Sequence, residues 1–394
     1  MPWKVNDVVE QRIEFVARAL MDTESFSATC REFGISRPTG YLWLRRYHEV
    51  KSFSKLKEQS RRPKCSPGRT RPDQEELVKA IRERYGWGGE KIQLLLQRDY
   101  GVQLGVRTVN RILKRCGLIS PEESHRRATK RFEKERPNEL WQVDFKGDYP
   151  TVEGRCYPLS ILDDHSRYAM GLFALPRPGL EQVQGSLIGT FERYGVPEAM
   201  LMDHGSPWWS TTNGHGLTRL TVALIKQGIR LKFSGVRHPQ TQGKVERFHR
   251  TLDKAMRRLS RPQTLREWSA VFDRFVYEYN QIRPHQALHM LVPAQKYQPA
   301  ARAYDPGPGE CEYPSGAVIK RLNTQGRLYY GGRYYFVCEA LADERIWLRQ
   351  IGDKMLITYR HMHVREIDLK TGRSCAIVRP AEPTSDMDQS EIEA

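Results

Sequence analysis

The sequence lacks several features that would each place the protein in a familiar class. No apolar run approaches the roughly 18 residues that a membrane-spanning helix needs, and the first residues do not resemble a signal peptide. The seven cysteines are scattered, and no two of them form a CxxC pair. These absences argue against a membrane protein, a disulfide framework and a structural zinc site. We therefore expect a protein of the reducing cytoplasm whose cysteines are packing residues.

Acidic residues are few relative to basic ones. The 394 residues include 64 Lys and Arg against 47 Asp and Glu, which gives a formal net charge of +17. A soluble chain this basic most often meets nucleic acid, because each neutralised phosphate releases counterions; a generic basic surface is the alternative. The length allows two or more domains with cores of their own.

Two helical units are predicted near the beginning of the chain. Residues 1–50 read as three helices, with a turn at Gly34-Ile35 and Ser36 capping the third, which is the geometry of a helix-turn-helix. Residues 72–120 give three more helices, interrupted at residues 86–89. An ordinary helical hairpin would show the same pattern. If the units bind DNA, the residues expected to contact it are Arg37, Thr39, Tyr41, Arg45, Arg107 and Arg111.

The remaining segments outside the centre of the chain differ in composition. Residues 51–71 and 121–136 are strongly basic and are predicted to be linkers that lie on DNA phosphates or are simply solvated. Residues 310–372 contain short segments rich in Tyr, Val and Ile, which favour a small β-barrel, or a sandwich. Residues 373–394 form an acidic tail that we expect to be disordered. Tandem binding units favour a homodimer or higher oligomer on DNA.

The central segment, residues 137–300, has the pattern of a mixed α/β sheet. Trp141, Val143 and Phe145 alternate with Gln142 and Asp144, as expected for a strand with one buried side. Two more strands follow in a meander, and then helix, strand, helix, strand and helix, which predicts helices on the faces of the sheet. A ligand site is expected at the ends of its central strands.

Three carboxylates stand out by their positions in this pattern. Asp144 lies in mid-strand, where propensity disfavours Asp unless it has a partner or a metal. Asp203 follows a short buried strand, and Glu246 belongs to a helix whose apolar face is Val245, Phe248 and Leu252. Converging acids are best relieved by divalent cations. A pair of Mg²⁺ ions about 4 Å apart can activate an attacking oxygen and stabilise a leaving one.

Each carboxylate also has a simpler interpretation. Glu246 can be an exposed residue paired with Arg250 one helical turn later, and a strand Asp can be satisfied by hydrogen bonds. Four other residues compete as metal ligands, although their turn positions favour ordinary turn chemistry: Asp148, Asp163, Asp164 and His165. Trp208 and Trp209 fit either stacking on an unpaired base or a hydrophobic plug.

Three segments carry a family resemblance. LWQVDFKG, VPEAMLMDHGSP and RHPQTQGKVERFHRTLDKAM resemble the motif blocks of the integrase-core DDE transposases, which include retroviral integrases and many bacterial insertion-sequence transposases. The RxxGYLWLRRY segment is similar to the helix-turn-helix of such transposases. The resemblance covers about residues 136–299 well and the two helical units loosely. Asp144, Asp203 and Glu246 match the family's metal-binding triad, one by one.

The resemblance implies a fold, a reaction and partners. The fold is a multidomain chain with N-terminal all-α helix-turn-helix units, a ribonuclease-H-like mixed sheet and a C-terminal barrel. The reaction frees 3′ hydroxyls at the ends of a mobile element and joins them to target DNA by phosphoryl transfer. Two Mg²⁺ ions are expected, with Mn²⁺ as a substitute, and double-stranded DNA is the partner in a bacterial, nucleoid-associated setting. Further DNA contacts are expected from Gln240, Gln242, Lys244, Arg247 and Arg250.

The sequence departs from the family pattern in two places, and two other functions stay open as alternatives. His204 stands where the family usually has Asn, and the interval from Asp203 to Glu246 is longer than usual, with the surplus in residues 208–216. The His/Cys zinc module of retroviral integrases is absent. The rivals are a ribonuclease-H-like nuclease without strand transfer and a catalytically inactive DNA-binding regulator.

Overall fold

The computed structural model describes residues 7–21, 23–57, 68–119, 133–211, 216–234 and 243–381. The chain divides into two compact units, Met1–Arg71 and Pro72–Ala394, so the division falls at the end of the predicted basic linker 51–71. Among the described residues, no helix combines the length and apolar character that crossing a membrane requires.

The first unit is a three-helix bundle. Its helices are α1 (Val8–Met21), α2 (Phe26–Glu32) and α3 (Arg37–Val50), followed by a 3-10 turn at Phe53–Leu56. As predicted, Ser36 caps α3, and its hydroxyl accepts a hydrogen bond from the Thr39 amide at 3.4 Å. A Cβ at Gly40 would lie 2.8 Å from Cys30 Sγ and 2.9 Å from Phe15, so a glycine allows α3 to pack this closely. Leu56 is fully buried, so the predicted linker begins inside the bundle.

A second three-helix group begins the larger unit. It consists of α4 (Pro72–Tyr85), α5 (Gly89–Tyr100) and α6 (Val106–Arg115). Val78, Ile92 and Val109, one from each helix, are fully buried in a shared apolar cluster. Trp87, in the glycine-rich turn, is also buried, and its ring stacks on Tyr85 with centroids 4.4 Å apart. The residues expected to interrupt two helices therefore also form part of the core.

The centre of the larger unit is the predicted mixed sheet. Its strands are β1 (Trp141–Phe145), β2 (Tyr149–Thr151), β3 (Gly154–Asp163), β4 (Ala169–Leu175), β5 (Ala199–Met202) and, after a two-stranded pair formed by β6 (Trp209–Ser210) and β7 (Gly216–Leu217), β8 (Arg230–Phe233). β3 pairs antiparallel with β1, β2 and β4, whereas β1–β5 and β5–β8 are parallel pairs. β2 was not predicted from the sequence.

Helices cover both faces of this sheet. They are α7 (Leu180–Tyr194), α8 (Arg219–Lys226), α9 (Gly243–Met256) and α10 (Leu265–Tyr277), followed by a π-helical turn at Glu278–Ile282 and 3-10 turns at Gln286–Leu288 and Pro293–Gln295. Ile161 packs in the cluster with α7 and α8, whereas the next residue, Leu162, packs in the cluster with α9 and α10. Because neighbouring strand residues point to opposite faces, the two helix pairs lie on opposite sides.

The C-terminal strands form open sheets. They are β9 (Val318–Arg321), β10 (Arg327–Tyr330), β11 (Arg333–Phe336), β12 (Arg345–Ile351), β13 (Lys354–Tyr359), β14 (Met362–Asp368) and β15 (Ser374–Pro380), with a 3-10 turn at Glu339–Leu341. The five-stranded sheet has the order β15-β14-β13-β12-β9, and β10 pairs only with β11. Within the described chain the edge strands of the five-stranded sheet, β15 and β9, do not pair with each other, so the predicted closure into a barrel is not confirmed.

The reason lies in the packing of the hairpin and of the last strand. Leu328 and Tyr335 of the β10–β11 hairpin bury their side chains in the same cluster as Leu348 and Ile357 of the larger sheet, so the hairpin covers that sheet rather than closing it. β15 occupies residues that composition assigned to a disordered tail, because pairing with β14 satisfies its backbone. Residues 382–394 lie outside the described chain.

Candidate active site

The register of two parallel strands brings the first two predicted carboxylates together. Trp141 of β1 pairs with Met200 of β5, and Gln142 pairs with Leu201. Carrying this register two residues further sets Asp144 beside Asp203, the residue that follows β5. The Asp203 carboxylate accepts a hydrogen bond from the Gly205 amide at 3.1 Å, which orients it at the end of its strand.

Helix α9 lies along β1 and contacts it at regular intervals. The Val245 amide donates to Gln142 Oε1 at 3.2 Å, and His249 Nδ1 lies 3.8 Å from the Asp144 carboxylate. One turn later, Asp253 pairs with Lys146 at 3.1 Å. Four helical residues rise about 6 Å and two strand residues about 6.6 Å, so successive contacts stay in step. This alignment places Glu246, in the first turn of α9, close to Asp144.

The three carboxylates interact through their charges. Burial raises the pKa of Asp144 to about 7, and the charges of Asp203 and Glu246 raise it further against the lowering effect of the Phe145 amide. His249 does not compensate, because burial lowers its pKa to about 4 and keeps the ring neutral at pH 7. Its Nε2 is hydrogen bonded to the Ser160 hydroxyl at 2.8 Å. The site thus has an excess of negative charge that a cation would relieve.

The three carboxylates are not a closed coordination shell in this structure. Among the described residues, no three His, Cys, Asp or Glu side chains are grouped closely enough to hold a metal ion together. Glu246 is exposed, whereas Asp144 and Asp203 are half-buried at the strand ends. Two oxygen donors are therefore held by the sheet, and the third is carried by the first turn of a helix, where the side chain is free to change rotamer.

The competing carboxylates have structural partners. Asp163 is fully buried and accepts hydrogen bonds from the Asn138 amide at 2.8 Å and from Ser166 at 2.7 Å and 2.6 Å. Asp164 accepts from Gln142 Nε2 at 2.9 Å and pairs with Lys244. Asp148 pairs with Arg155. These contacts are the turn and pairing roles that their positions suggest.

His165 and the two tryptophans have similar structural roles. His165 is hydrogen bonded through Nδ1 to the Lys134 carbonyl at 2.8 Å. Trp208 is buried in the sheet's main cluster, which supports the hydrophobic-plug interpretation. Trp209 packs against His204, with ring centroids 4.9 Å apart, and against Phe233 at the same distance. The residue that departs from the family pattern is therefore held by aromatic contacts.

The predicted DNA-contacting residues fall into three groups. Seven of them are exposed on α3, α6 and α9, as a DNA contact requires: Arg37, Tyr41, Arg45, Arg107, Arg111, Arg247 and Arg250. The ring of Tyr41 also packs against Phe26. Thr39 is half-buried, and its hydroxyl lies 2.9 Å from that of Ser36. Gln240 and Gln242 lie outside the described residues.

Lys244 differs from the other predicted contacts. Its side chain is 14% exposed and pairs with Asp164, whose side chain is fully buried. Burial lowers the pKa of Lys244 to about 8, while the charge of Asp164 opposes this effect. The pair fixes the beginning of α9 to the turn after β3. The role of Lys244 as a DNA contact stays a prediction. In this structure its ammonium group forms an ion pair with Asp164.

Gln142 is a site residue that sequence reasoning did not single out. Its side chain is fully buried and joins three elements: β1, the turn at Asp164 and the amide of Val245 on α9. The sequence feature that could have pointed to Gln142 is its position two residues before Asp144, on the same side of the strand. Periodicity gives that side but cannot show that its partners come from segments far along the chain.

Comparison with known proteins identifies the domains. Residues 134–239 and 227–293 match the integrase core domain family, residues 11–64 match a helix-turn-helix domain and residues 39–113 a homeodomain-like domain. The centre of the chain therefore matches the integrase core domain family, and the helix-turn-helix matches precede it.

Individual relatives agree with this assignment. The chain is 25% identical over 213 residues to the Gag-Pol polyprotein of woolly monkey sarcoma virus, covering 53% of this chain and 12% of that polyprotein. It is 25% identical over 232 residues to an uncharacterized 31.7 kDa protein of insertion element IS407 from Burkholderia multivorans, covering 56% of this chain and 78% of that protein. The chain thus spans about one eighth of the viral polyproteins that it matches.

A solved structure shows a weaker likeness. The HTLV-2 integrase catalytic core domain in complex with magnesium, in its trimeric form, is 14% identical, with a TM-score of 0.33 over 42% of this chain and 99% of that chain. The identification of the core domain does not depend on it.

Proposed function

We propose that this protein is a DDE transposase. It binds the ends of a mobile DNA element through its helix-turn-helix domains, hydrolyses a phosphodiester to free a 3′ hydroxyl, and joins that hydroxyl to target DNA. The observation that carries the proposal is that the register of β1 and β5 sets Asp144 beside Asp203, while Glu246 lies in the first turn of α9, the helix packed along β1. A chain with a net charge of +17 supports a polyanionic substrate.

The residues at the site fit divalent cations. Asp144, Asp203 and Glu246 supply only oxygen donors, which Mg²⁺ and Mn²⁺ prefer, and burial together with their mutual repulsion raises the pKa of Asp144. When bound, the ions would supply charge stabilisation at the attacking and leaving oxygens of an in-line displacement. The protein holds two of the donors by strand register and the third by the contacts between α9 and β1.

Other groups of the chain have supporting tasks. Gln142 and the Lys244–Asp164 pair hold the first turn of α9 against the sheet. Arg247 and Arg250, both exposed on α9, would hold the DNA backbone beside the carboxylates. The exposed side chains of α3 would supply base contacts, in the manner of a recognition helix.

A strand-transfer assay tests the proposal. Labelled duplexes carrying the inverted repeats that flank the coding region are incubated with Mg²⁺ and target plasmid, and joined products are resolved on a denaturing gel. Glu246→Gln is nearly isosteric and should abolish joining while keeping DNA binding. Glu181→Gln is the matched control, because Glu181 is also an exposed glutamate in the first turn of a helix, α7.

The possible results separate the rival functions. Joined products from the wild type and the control, but not from Glu246→Gln, support the transposase. Cleavage without joining would favour a nuclease. DNA binding with neither product would favour an inactive regulator, and full activity of Glu246→Gln would remove that residue from the site.

A further inference from the structure

The second helical group is attached to the integrase core through the turn between α4 and α5. Arg258, near the end of α9, donates to the Tyr85 carbonyl at 2.8 Å. Gln286 donates to the Glu90 carboxylate at 2.8 Å. The Arg283 guanidinium lies 6.0 Å from the ring centroid of Trp87. The first turn of α5 therefore rests on α9 and on the segment that follows α10.

Three basic side chains meet at this junction. Lys91 lies in the first turn of α5, Arg247 on α9, and Arg283 after the π-helical turn. Arg258, which reaches the α4–α5 turn, lies in the turn two residues after the end of α9. Burial and the charges of Arg283 and Arg247 lower the pKa of Lys91 to about 7, so each of the two guanidinium groups acts on the ammonium.

The cluster is not neutralised within the described chain. None of its three members forms an ion pair with a described residue. The charge of Glu90 raises the pKa of Lys91, but the Glu90 carboxylate also accepts a hydrogen bond from Gln286 at 2.8 Å. His285 faces the same group, and burial together with Arg283 and Lys91 keeps its pKa well below the ordinary value. Partly buried like charges without a counterion cost free energy, so an anion is the missing partner.

We propose that Lys91, Arg247 and Arg283 form a binding site for a backbone phosphate of the DNA substrate. This inference rests on the proposed function for the identity of the anion. Arg247 follows Glu246 directly in the chain, so a phosphate held here lies on the DNA path next to the carboxylate site. The second helical group would then supply a side chain to the path through the core, as well as recognising DNA through α6.

The test compares Lys91→Gln with Lys79→Gln. Lys79 belongs to the same helical group, but its side chain on α4 is 36% exposed and paired with Glu76 at 3.1 Å, so its loss removes the same charge outside the cluster. Binding of a fluorescent end duplex is followed by anisotropy in EDTA over a series of salt concentrations. Lys91→Gln should weaken binding and reduce the slope of log affinity against log salt by about 0.9, as expected for one lost phosphate contact. Lys79→Gln should leave the slope unchanged.

Thermal unfolding of the free protein gives a second readout with the opposite sign. Lys91→Gln relieves repulsion and desolvation, so it should raise the melting temperature of the full-length protein while lowering DNA affinity. A residue needed only for folding would lower both. If Lys91→Gln fails to fold, Arg247→Gln carries the same expectation for the slope, because its side chain is exposed.

Several outcomes would overturn the inference. An unchanged slope in Lys91→Gln, with wild-type strand transfer intact, would reject the phosphate site and leave the proposed function standing. If inorganic phosphate raises the melting temperature of the wild type but not of Lys91→Gln, and the slope is unchanged, the cluster takes free phosphate and not DNA. If the wild type binds no DNA, both proposals fail together.

Discussion

Asp144 and Asp203 lie side by side because β1 and β5 are parallel neighbours, with Trp141 paired to Met200 and Gln142 to Leu201. The two carboxylates come from positions far apart in the sequence, and the sheet holds them without any direct bond between them. Burial, together with the charge of the neighbouring Asp203, raises the pKa of Asp144 to about 7. The free protein therefore bears an electrostatic cost at the site where the proposed function places the metal ions.

The first prediction concerns this cost and its dependence on pH. Asp144 has a pKa of about 7 in the folded protein and an ordinary value of 3.8, so between these values the folded state holds a proton that the unfolded state releases. The contribution of Asp144 to stability therefore falls as the pH rises from about 4 to 7, and the full cost is present at pH 8. Asp144→Asn should raise the melting temperature in EDTA at pH 8, by about 2–4 °C for each kcal/mol gained.

The same experiment at lower pH and with metal supplies its checks. The difference between Asp144→Asn and the wild type should shrink at pH 5, where the wild-type carboxyl is protonated. Mg²⁺ should raise the melting temperature of the wild type and have less effect on the variant. Asp148→Asn, which loses a pairing with Arg155, is the control. A variant no more stable than the wild type at pH 8 would contradict the assigned cost.

The elements of the core sheet could be predicted from the sequence because their signals are local. The alternation around Asp144 identified β1, the apolar spacing of Val245, Phe248 and Leu252 identified α9, and the glycine at 195 marked the end of α7. β2 was missed, since three residues that include Pro150 carry no strand pattern of their own, and their pairing with β3 supplies the missing information.

Features that depend on distant partners could not be predicted. Trp87 was interpreted as part of a helix-breaking turn, yet the segment around Arg283 helps to bury it. The C-terminal strands were recognised, but whether they close into a barrel depends on which strand meets which, and β10 and β11 pack over the larger sheet instead. Lys244 was grouped with exposed bases because helical spacing does not show that Asp164 faces it.

The second prediction concerns Gln142, which joins β1, Asp164 and the beginning of α9. Gln142→Leu leaves the Val245 amide and one oxygen of Asp164 without this partner, and each buried unsatisfied group costs about 1–3 kcal/mol. We expect a lower melting temperature and a loss of strand transfer greater than the loss of DNA binding, since Glu246 is displaced. Gln97→Leu, an exposed glutamine on α5, should change neither. Equal losses of binding and joining would argue against a positioning role.

The third prediction separates Lys244 from its exposed neighbours on α9. Because Lys244 pairs with the buried Asp164, Lys244→Met should destabilise the protein by about 3–5 kcal/mol, as breaking a buried pair does. Chemical denaturation measures this loss, and the double variant Lys244→Met with Asp164→Leu should recover part of it. The salt slope of DNA binding should stay at the wild-type value. A slope reduced as much as in Arg250→Gln would show that Lys244 leaves Asp164 to bind a phosphate.

The fourth prediction concerns the third helix of the first unit. Arg45 is exposed on α3, and Trp43 on the same helix is buried in the bundle core, so the helix presents one face to the core and another to a partner. If α3 enters a major groove, Arg45→Ala should reduce affinity for end DNA by about 1–3 kcal/mol relative to an unrelated duplex of equal length. The melting temperature should not change. Arg18→Ala, which removes pairings with Glu14 on α1 and with Glu32 on α2, is the control for loss of charge. Equal weakening on both duplexes would identify Arg45 as a phosphate contact, and no weakening would favour an ordinary helical hairpin.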